Sequence, residues 1–245
     1  MQLNHQEIGI GIIGCGRMGN LRSSISRNNS SVKFIGISDI DSGKANRLGE
    51  RISADIISTN NSDIINDENI HALIVSTSEP EHYKPVINAL ERGKPVLVEK
   101  PIALSVDEAE KMVEAAAKNN TSLHVGYTLR FNRHYLIGKQ QIIENKVGNI
   151  LSCVGRFNNT QRTGAEILKR SKHISFVNDA LTYLVDLFGW YLDGKIPKEI
   201  VVKKATHKYR FSKSPHKITL KKIELNIKVP PIVGVPCLDR WVLGP

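Results

Sequence analysis

Gly14-Cys15-Gly16-Arg17-Met18-Gly19 decides how this sequence folds. The hexapeptide follows an isoleucine-rich run at residues 8–13, typical of a strand buried on both faces, and precedes a segment able to begin a helix. In that context Gly14 allows a tight turn, Gly16 lets the backbone approach a pyrophosphate, and Gly19 lets helix and strand pack closely. Because N–H groups and the dipole at a helix start favour phosphate charge, the pattern predicts a dinucleotide site built by Gly14, Gly16, Arg17, Met18 and Gly19.

An acidic residue stands where such a site needs one. Asp39 lies 20 residues after Gly19, at the end of a second predicted strand at 32–37. An acid at about this spacing binds the ribose hydroxyls of the adenosine half. A carboxylate there repels a 2′-phosphate, so the sequence favours NAD over NADP. The alternative is a glycine-rich turn followed by a surface aspartate.

The pattern of elements changes near residue 126. Before it, strand and helix patterns alternate, which indicates a parallel sheet with crossover helices. After it come a helical stretch, a strand, a strongly apolar helix and strand-like segments, at about 136–145, 150–157, 179–192, 199–203 and 218–227. The sequence therefore predicts an α/β chain with a Rossmann dinucleotide-binding domain at 1–126. A substrate or oligomerisation domain of α+β type with an open sheet is predicted at 127–245.

Composition excludes several classes of protein. Hydrophobic residues make up 40% and charged residues 24%, which is ordinary globular usage. No apolar run reaches the roughly 18 residues of a membrane helix, and no signal-peptide pattern opens the chain. The three cysteines are far apart and form no metal or redox pair, and the histidines show no metal-site spacing. We therefore expect a cytoplasmic protein without a membrane partner or a metal site.

Positive charge is concentrated in the second half. Residues 151–245 hold 17 Lys and Arg against 7 Asp and Glu, which accounts for the whole net charge of +10. Such a surface favours an anionic substrate, such as a sugar acid or a nucleotide sugar, although a solvated lysine-rich strand face explains it equally well. Nucleic-acid binding is not favoured, because few aromatic residues interleave the basic ones.

Three further stretches turn this nucleotide-binding pattern into a family resemblance. They are Ile74-Val75-Ser76-Thr77-Ser78-Glu79-Pro80-Glu81-His82, Glu99-Lys100-Pro101, and Asn178-Asp179-Ala180-Leu181-Thr182-Tyr183-Leu184-Val185-Asp186. With the glycine loop they resemble the Gfo/Idh/MocA family of glucose–fructose oxidoreductases and inositol dehydrogenases. The segment Gly126-Tyr127-Thr128-Leu129-Arg130-Phe131-Asn132 also resembles that family's entry into its second domain.

The resemblance implies a chemistry and a set of site residues. Members transfer a hydride between NAD(P) and a CH–OH carbon of a sugar or cyclitol. By resemblance Lys100 is the catalytic-site lysine, which also contacts cofactor and substrate, and Glu99 lies near the nicotinamide. Asp179 matches the substrate-binding acid, and Asp186 a further acid of the same helix. Tyr183 falls where most members have a catalytic histidine and some have tyrosine.

Other residues of these stretches carry two interpretations each. Thr77 and His82 lie in the cofactor-binding stretch, and His82 either caps its helix or touches the cofactor. Arg130 either contacts substrate or forms a structural salt bridge. For Lys100 taken alone, the alternative is a surface lysine before a turn proline.

The spacing of the residues agrees with a site on one helix. Asp179, Tyr183 and Asp186 stand at i, i+4 and i+7, so they share one face, either lining a wet cleft or forming a polar edge towards solvent. Oxidation of a CH–OH group needs a base for the hydroxyl proton. A tyrosine has a pKa of about 10, which a neighbouring lysine cation lowers. The hypothesis is that Tyr183 acts as acid and base beside Lys100, while Asp179 holds a substrate hydroxyl.

Members of the family are usually longer than this 245-residue chain. We therefore expect a C-terminally shortened second domain, from a truncated reading, a short member, or a member that keeps the cofactor domain for a non-catalytic role. A galactose-pathway repressor of the same family has such a non-catalytic role. The family's open sheet commonly forms its oligomer interface, so homo-oligomerisation stays undecided. The main expectation is an NAD(P)-dependent oxidoreductase, and the alternative is a non-catalytic cofactor-binding regulator or a decayed member.

Overall fold

The computed structural model describes residues 7–157, 176–194, 199–209 and 218–228, with side chains for residues 7–156 and 181–194. The chain divides into two compact units between Gly126 and Tyr127. None of the helices in the described ranges combines the length and apolar character needed to cross a membrane.

The first unit is built on a parallel sheet. Its strands are β1 (Ile8–Ile13), β2 (Val32–Ser38), β3 (Ile56–Ser58), β4 (Ala72–Val75), β5 (Val96–Val98) and β6 (Leu123–Val125). All neighbours pair in parallel, in the order β3-β2-β1-β4-β5-β6. From β1 the chain adds strands first on one side, β2 and β3, and then on the other side, β4 to β6. The point between β1 and β4 is therefore the switch point at which open α/β sheets bind ligands.

Helices connect these strands. They are α1 (Arg17–Arg27), α2 (Ser42–Ile52), α3 (Asn61–Ile65), α4 (Tyr83–Leu90) and α5 (Val106–Lys118). Asp41 caps α2 and Ser105 caps α5, each accepting a hydrogen bond from a backbone N–H of the first turn. Such a cap contributes about 1 kcal/mol.

Two groups of buried apolar residues hold the unit together. One group packs β2 against α2, with Ile35, Ile37 and Leu48 at its centre. The other packs β4 and β5 against α4 and α5, and includes Leu90 and Met112. Each fully buried side chain of this size contributes roughly 1.5–3 kcal/mol.

The predicted Rossmann fold is confirmed, and the strands predicted at 8–13 and 32–37 are β1 and β2. The element that sequence patterns missed is β3, together with the flanking helices α2 and α3. β3 has only three residues and stands at the edge of the sheet, where its side chains are not fully buried. It therefore lacks the continuous apolar run that marks the central strands.

The second unit combines helices with an antiparallel sheet. Its elements are α6 (Arg133–Ile143), β7 (Ser152–Phe157), α7 (Phe176–Tyr191), β8 (Glu199–Tyr209) and β9 (Ile218–Lys228). The strands pair in the order β7-β9-β8. β7 packs directly on α7, since a Cβ at Gly155 would lie 2.7 Å from Leu184 and from Phe188. This α+β arrangement begins with the helix, strand and apolar helix expected from the sequence.

Candidate functional site

The glycine loop has the geometry that its sequence predicts. Gly14 has a φ of +96°, and a Cβ there would lie 2.7 Å from the backbone of Ser76 and Thr77. A Cβ on Gly19 would overlap the carbonyl oxygen of Gly14. Both positions are thus restricted to glycine, one by its positive φ and close backbone, the other by the contact between helix and loop.

Gly16 differs from Gly14 and Gly19 because the position of a Cβ atom on it is unobstructed. No heavy atom lies within 4 Å of a Cβ built there. It is the N-cap of α1, no side chain caps this helix, and Arg17 beside it is exposed. Helix starts leave backbone N–H groups unpaired and carry partial positive charge. The loop therefore fits a phosphate group of a dinucleotide.

Asn20 stabilises this loop, and sequence patterns gave no sign of it. Its Nδ2 donates to the carbonyl oxygens of Cys15 at 2.7 Å and Gly16 at 2.9 Å. A side-chain amide one turn into the helix thus fixes the two carbonyls that precede it. Ser76 holds the loop from the other side, with Oγ donating to the Gly14 oxygen at 2.8 Å.

Asp39 directly follows β2 and is bound to the glycine loop. Its Oδ2 accepts from the backbone N–H of Cys15 at 2.7 Å, and its Oδ1 accepts from that of Asp41 at 2.9 Å. Carboxylate oxygens accept more than one hydrogen bond, so both retain capacity for ribose hydroxyls. The half-buried carboxylate is therefore oriented beside the phosphate loop.

The Cys15 thiol in the glycine loop is unreactive. Cys15 is buried, and its Sγ lies 3.5 Å from the Ser38 oxygen. Burial, and secondarily the Asp39 carboxylate, raise the pKa of the Cys15 thiol to about 12. The thiol is thus protonated at neutral pH and unsuited to nucleophilic or redox chemistry.

A cleft with basic side chains opens beside Asp39. It lies between α1 and α2 and is lined partly by Cys15, Lys44, Arg47 and Arg51. Lys44 is paired with Asp41 at 3.5 Å on the exposed surface. The cleft thus places cations close to Cys15, whose backbone N–H binds the Asp39 carboxylate.

His82 joins two loops. It is 1% exposed, and its ring nitrogens lie 2.9 Å from the Pro101 oxygen and 3.3 Å from the Thr77 oxygen. His82 stands at the N-cap of α4, but its side chain makes no capping hydrogen bond, so the interpretation as a helix cap is wrong. Instead the ring connects the loop after β4 with the loop after β5. Thr77 is half-buried, with Oγ1 donating to the Glu81 oxygen at 3.1 Å.

Glu99 and Lys100 follow β5. Glu99 is 8% exposed, and its Oε1 accepts from Arg22 Nε at 2.9 Å and pairs with Nη2 at 2.8 Å. Lys100 is half-buried and precedes a cis peptide bond to Pro101. The sequence did not single out Arg22. The sequence feature that could have indicated this residue is an arginine three residues after Gly19, next to the buried residues of α1.

In the second unit, the predicted site helix is α7. It contains Asp179, Tyr183 and Asp186, but the side chain of Asp179 lies outside the described residues. Tyr183 is half-buried, and its ring packs edge-on against Tyr127 with centroids 6.4 Å apart.

Arg130 and Asp186, both predicted to bind substrate, are partners of each other. Arg130 Nε lies 3.1 and 2.9 Å from the two carboxylate oxygens, and Nη2 lies 2.6 Å from Oδ1. The Asp186 side chain is 6% exposed and that of Arg130 38% exposed. The salt-bridge interpretation of Arg130 therefore describes the observed geometry, with the Trp190 ring centroid 6.0 Å from the guanidinium carbon.

The pair has a consequence for Tyr127. Burial first, and then the negative charge of Asp186, raise the pKa of the Tyr127 phenol to about 12, against the opposing effect of Arg130. The phenol is thus protonated at neutral pH. Among the described residues, no group of His, Cys, Asp and Glu side chains is arranged to hold a metal ion.

Comparisons with known proteins agree with this geometry. Residues 8–127 match the model of the Gfo/Idh/MocA oxidoreductase family, described as an NAD-binding Rossmann fold. Inositol 2-dehydrogenase of Rubrobacter xylanophilus is 26% identical over 203 residues, which cover 82% of this chain and 57% of that enzyme. Inositol 2-dehydrogenase of Gluconacetobacter diazotrophicus is 26% identical over 235 residues, which cover 94% of this chain and 68% of that enzyme. The chain thus spans little more than half of the first relative.

Solved structures share the fold. Apo scyllo-inositol dehydrogenase from Lactobacillus casei matches with a TM-score of 0.75 and 20% identity, over 84% of this chain and 61% of that chain. A structure of scyllo-inositol dehydrogenase from the same organism holds NAD(H) and scyllo-inositol. It matches with a TM-score of 0.73 and 21% identity, over 82% of this chain and 61% of that chain. The predicted resemblance and the NAD-binding character are therefore confirmed. Residues 8–127 of this chain match the NAD-binding Rossmann fold of the Gfo/Idh/MocA oxidoreductase family.

Proposed function

We propose that this protein is an NAD-dependent oxidoreductase that transfers a hydride between nicotinamide and a CH–OH carbon of a cyclitol or sugar. The observation that carries the proposal is the open helix start at Gly16 with the Asp39 carboxylate bound beside it. Two similar proteins are inositol 2-dehydrogenases, which supports a polyol substrate.

The first unit supplies the groups that hold the cofactor. The N–H groups of Gly16, Arg17 and Met18 lie at the start of α1, beside the open space at Gly16, and would bind the pyrophosphate. Asp39 would accept the hydrogen bonds of the ribose hydroxyls, and its charge favours NAD over NADP. Thr77, Glu99 and Lys100 would form the border on the side of β4 and β5, with His82 holding these loops together.

The second unit supplies polar groups for the substrate. NAD, when bound, provides the hydride acceptor for the carbon that is oxidised. Tyr183 takes the hydroxyl proton in this proposal, Lys100 assists it by its positive charge, and Asp179 binds a substrate hydroxyl. Tyr127 has no acid–base role in this proposal, because burial and the Asp186 charge raise its pKa to about 12.

Arg130 and Asp186 have different roles in this proposal. Asp186 is almost fully buried, so it acts through Arg130, whose direction it fixes. Arg130 retains 38% of its side-chain exposure and has further N–H donors for a substrate oxygen. A guanidinium held in this way suits an anionic group, which agrees with the basic charge of residues 151–245. A sugar acid is thus included beside the neutral cyclitols.

A substrate screen tests the proposal. The full chain would be incubated with NAD and with myo-inositol, scyllo-inositol, glucose or a sugar acid, while NADH absorbance is followed. Lys100→Met should lower kcat by at least about a hundredfold, the usual range for loss of an acid–base group or its partner. Lys111→Met, which removes an exposed ion pair on α5, is the matched control and should leave kcat unchanged.

Two outcomes would contradict the proposal. Near-normal turnover in Lys100→Met would remove the lysine from the mechanism. Tight NADH binding with no turnover of any polyol would instead indicate the non-catalytic regulator.

The cytoplasm is the proposed location. Cys15 and Cys153 are free thiols, and burial raises the pKa of both, so neither is prepared to form a disulfide. Fractionation of cells that express the tagged full chain, with markers for each compartment, would test this location.

A further inference from the structure

The ion pair between Arg22 and Glu99 joins two parts of the proposed cofactor site that are distant in sequence. Arg22 lies on α1, the helix that begins at the phosphate loop, and Glu99 directly follows β5. Nε and Nη2 of Arg22 both contact Oε1 of Glu99, at 2.9 and 2.8 Å. The two side chains are 17% and 10% exposed. Both contacts are charge-assisted and reach the same oxygen, so they hold Oε1 of Glu99 against Arg22.

The backbone leaves room for this pair at Gly126. A Cβ there would lie 2.8 Å from Glu99 Oε2 and 3.3 Å from Nη2 of Arg22. Gly126 is itself bound to the end of β5, since its N–H donates to the Val98 oxygen at 2.8 Å. The carboxylate is therefore enclosed by α1 on one side and by the chain after β6 on the other. Removing Arg22 would leave a buried charge without its counter-ion, which favours displacement of Glu99.

The strand order places the pair on one side of the cofactor site. Asp39 at the end of β2 would hold the adenosine half, and the glycine loop after β1 the pyrophosphate. In the order β3-β2-β1-β4-β5-β6, the nicotinamide half then falls towards the ends of β4 and β5. Glu99 and Lys100 stand at that end, whereas Asp39 follows β2 on the other side of β1.

We propose that Arg22 is a positioning residue that, through Glu99, orients the segment Glu99-Lys100 towards the nicotinamide half of the cofactor. The inference rests on the proposed NAD-binding function. It requires that loss of Arg22 weakens recognition of nicotinamide and leaves recognition of the rest of the dinucleotide intact. A purely structural ion pair would change both affinities alike, or only the stability of the unit.

Two ligands separate these possibilities. NADH carries the whole dinucleotide, and ADP-ribose carries the adenosine, both phosphates and the second ribose without nicotinamide. Calorimetric titration of the full chain would give Kd for each, and the fluorescence emission maximum of bound NADH would report the surroundings of the nicotinamide. Arg22→Met should raise the Kd for NADH about tenfold and that for ADP-ribose less than about twofold, with a shifted emission maximum.

Further variants keep the test decisive if Arg22→Met does not fold. Arg22→Lys retains the charge but has one donor group in place of the fork, so it should restore part of the NADH affinity. Glu99→Gln should weaken NADH binding in the same selective way. In the double variant Arg22→Met with Glu99→Gln, the two losses should not add, because Arg22 acts through Glu99. Lys111→Met controls for the loss of an exposed ion pair.

The outcomes are distinct. A selective loss of NADH affinity in the Arg22 and Glu99 variants supports the inference. An unchanged ratio of the two Kd values in these variants, with ADP-ribose still bound, overturns the inference alone. Failure of the folded, unaltered chain to bind either ligand overturns the proposed function and the inference with it.

Discussion

The Asp39 carboxylate and the Cys15 backbone are joined by a hydrogen bond of 2.7 Å between Oδ2 and the N–H group. The bond connects the residue proposed to select the cofactor to the loop proposed to bind its phosphates. The acid is thereby oriented before any ligand arrives, which lowers the entropic cost of binding.

Asp39→Ala should change cofactor preference. The substitution removes the charge that repels a 2′-phosphate and leaves Lys44 and Arg47 near the adenosine end of the site. The ratio of NADPH to NADH affinity should rise about tenfold, measured by fluorescence titration of both cofactors. An unchanged ratio would show that Asp39 does not face the ribose.

Gly16→Ala and Gly19→Ala form a matched pair of variants in one loop. Gly16 has open space around its Cβ position, so Gly16→Ala should melt at the temperature of the unaltered protein, yet weaken NADH binding about tenfold by obstructing the pyrophosphate. Gly19→Ala should lower the free energy of unfolding by several kcal/mol, because its Cβ would overlap the Gly14 carbonyl. Thermal denaturation and NADH titration of both variants check this, and equal behaviour of the two would refute it.

Arg130→Met should destabilise the second unit. The change leaves the buried Asp186 carboxylate without its counter-ion, at a cost of about 2–3 kcal/mol for charged hydrogen bonds that are partly open to solvent. Asp186→Asn should cost less, since it leaves no buried charge. Urea denaturation of both single variants and the double variant would give the coupling energy, and additive effects would argue against a functional pair.

The Tyr127 phenol makes stability depend on alkaline pH. Burial raises its pKa in the folded state from the ordinary 10.0 to about 12, so the folded state keeps a proton that the unfolded chain loses. The contribution is fully present below pH 10 and is lost as the pH rises from 10 towards 12. Tyr127→Phe should therefore melt with a weaker pH dependence than the unaltered protein between those values. Parallel slopes of melting temperature against pH would contradict the assignment.

Local sequence was sufficient for the cofactor half of the molecule. Buried parallel strands produce continuous apolar runs, and the glycine loop has a fixed spacing between its turn, its open position and its helix contact. β3 escaped notice because an edge strand of three residues carries little of that signal.

Pairings between distant side chains could not be predicted from sequence. Arg22 and Glu99 are 77 residues apart, and Arg130 and Asp186 are 56 apart. Such pairs depend on the packed fold, so each residue alone was compatible with a ligand contact or a surface position. His82 shows the same limitation, because its partners are backbone carbonyls of two separate loops.

Titration of the purified full chain with NADH and with NADPH, followed by nicotinamide fluorescence, tests the central claim most directly. NADH should bind at one site, so that the change in nicotinamide fluorescence saturates, and it should bind more tightly than NADPH. A folded protein that binds neither cofactor would contradict it.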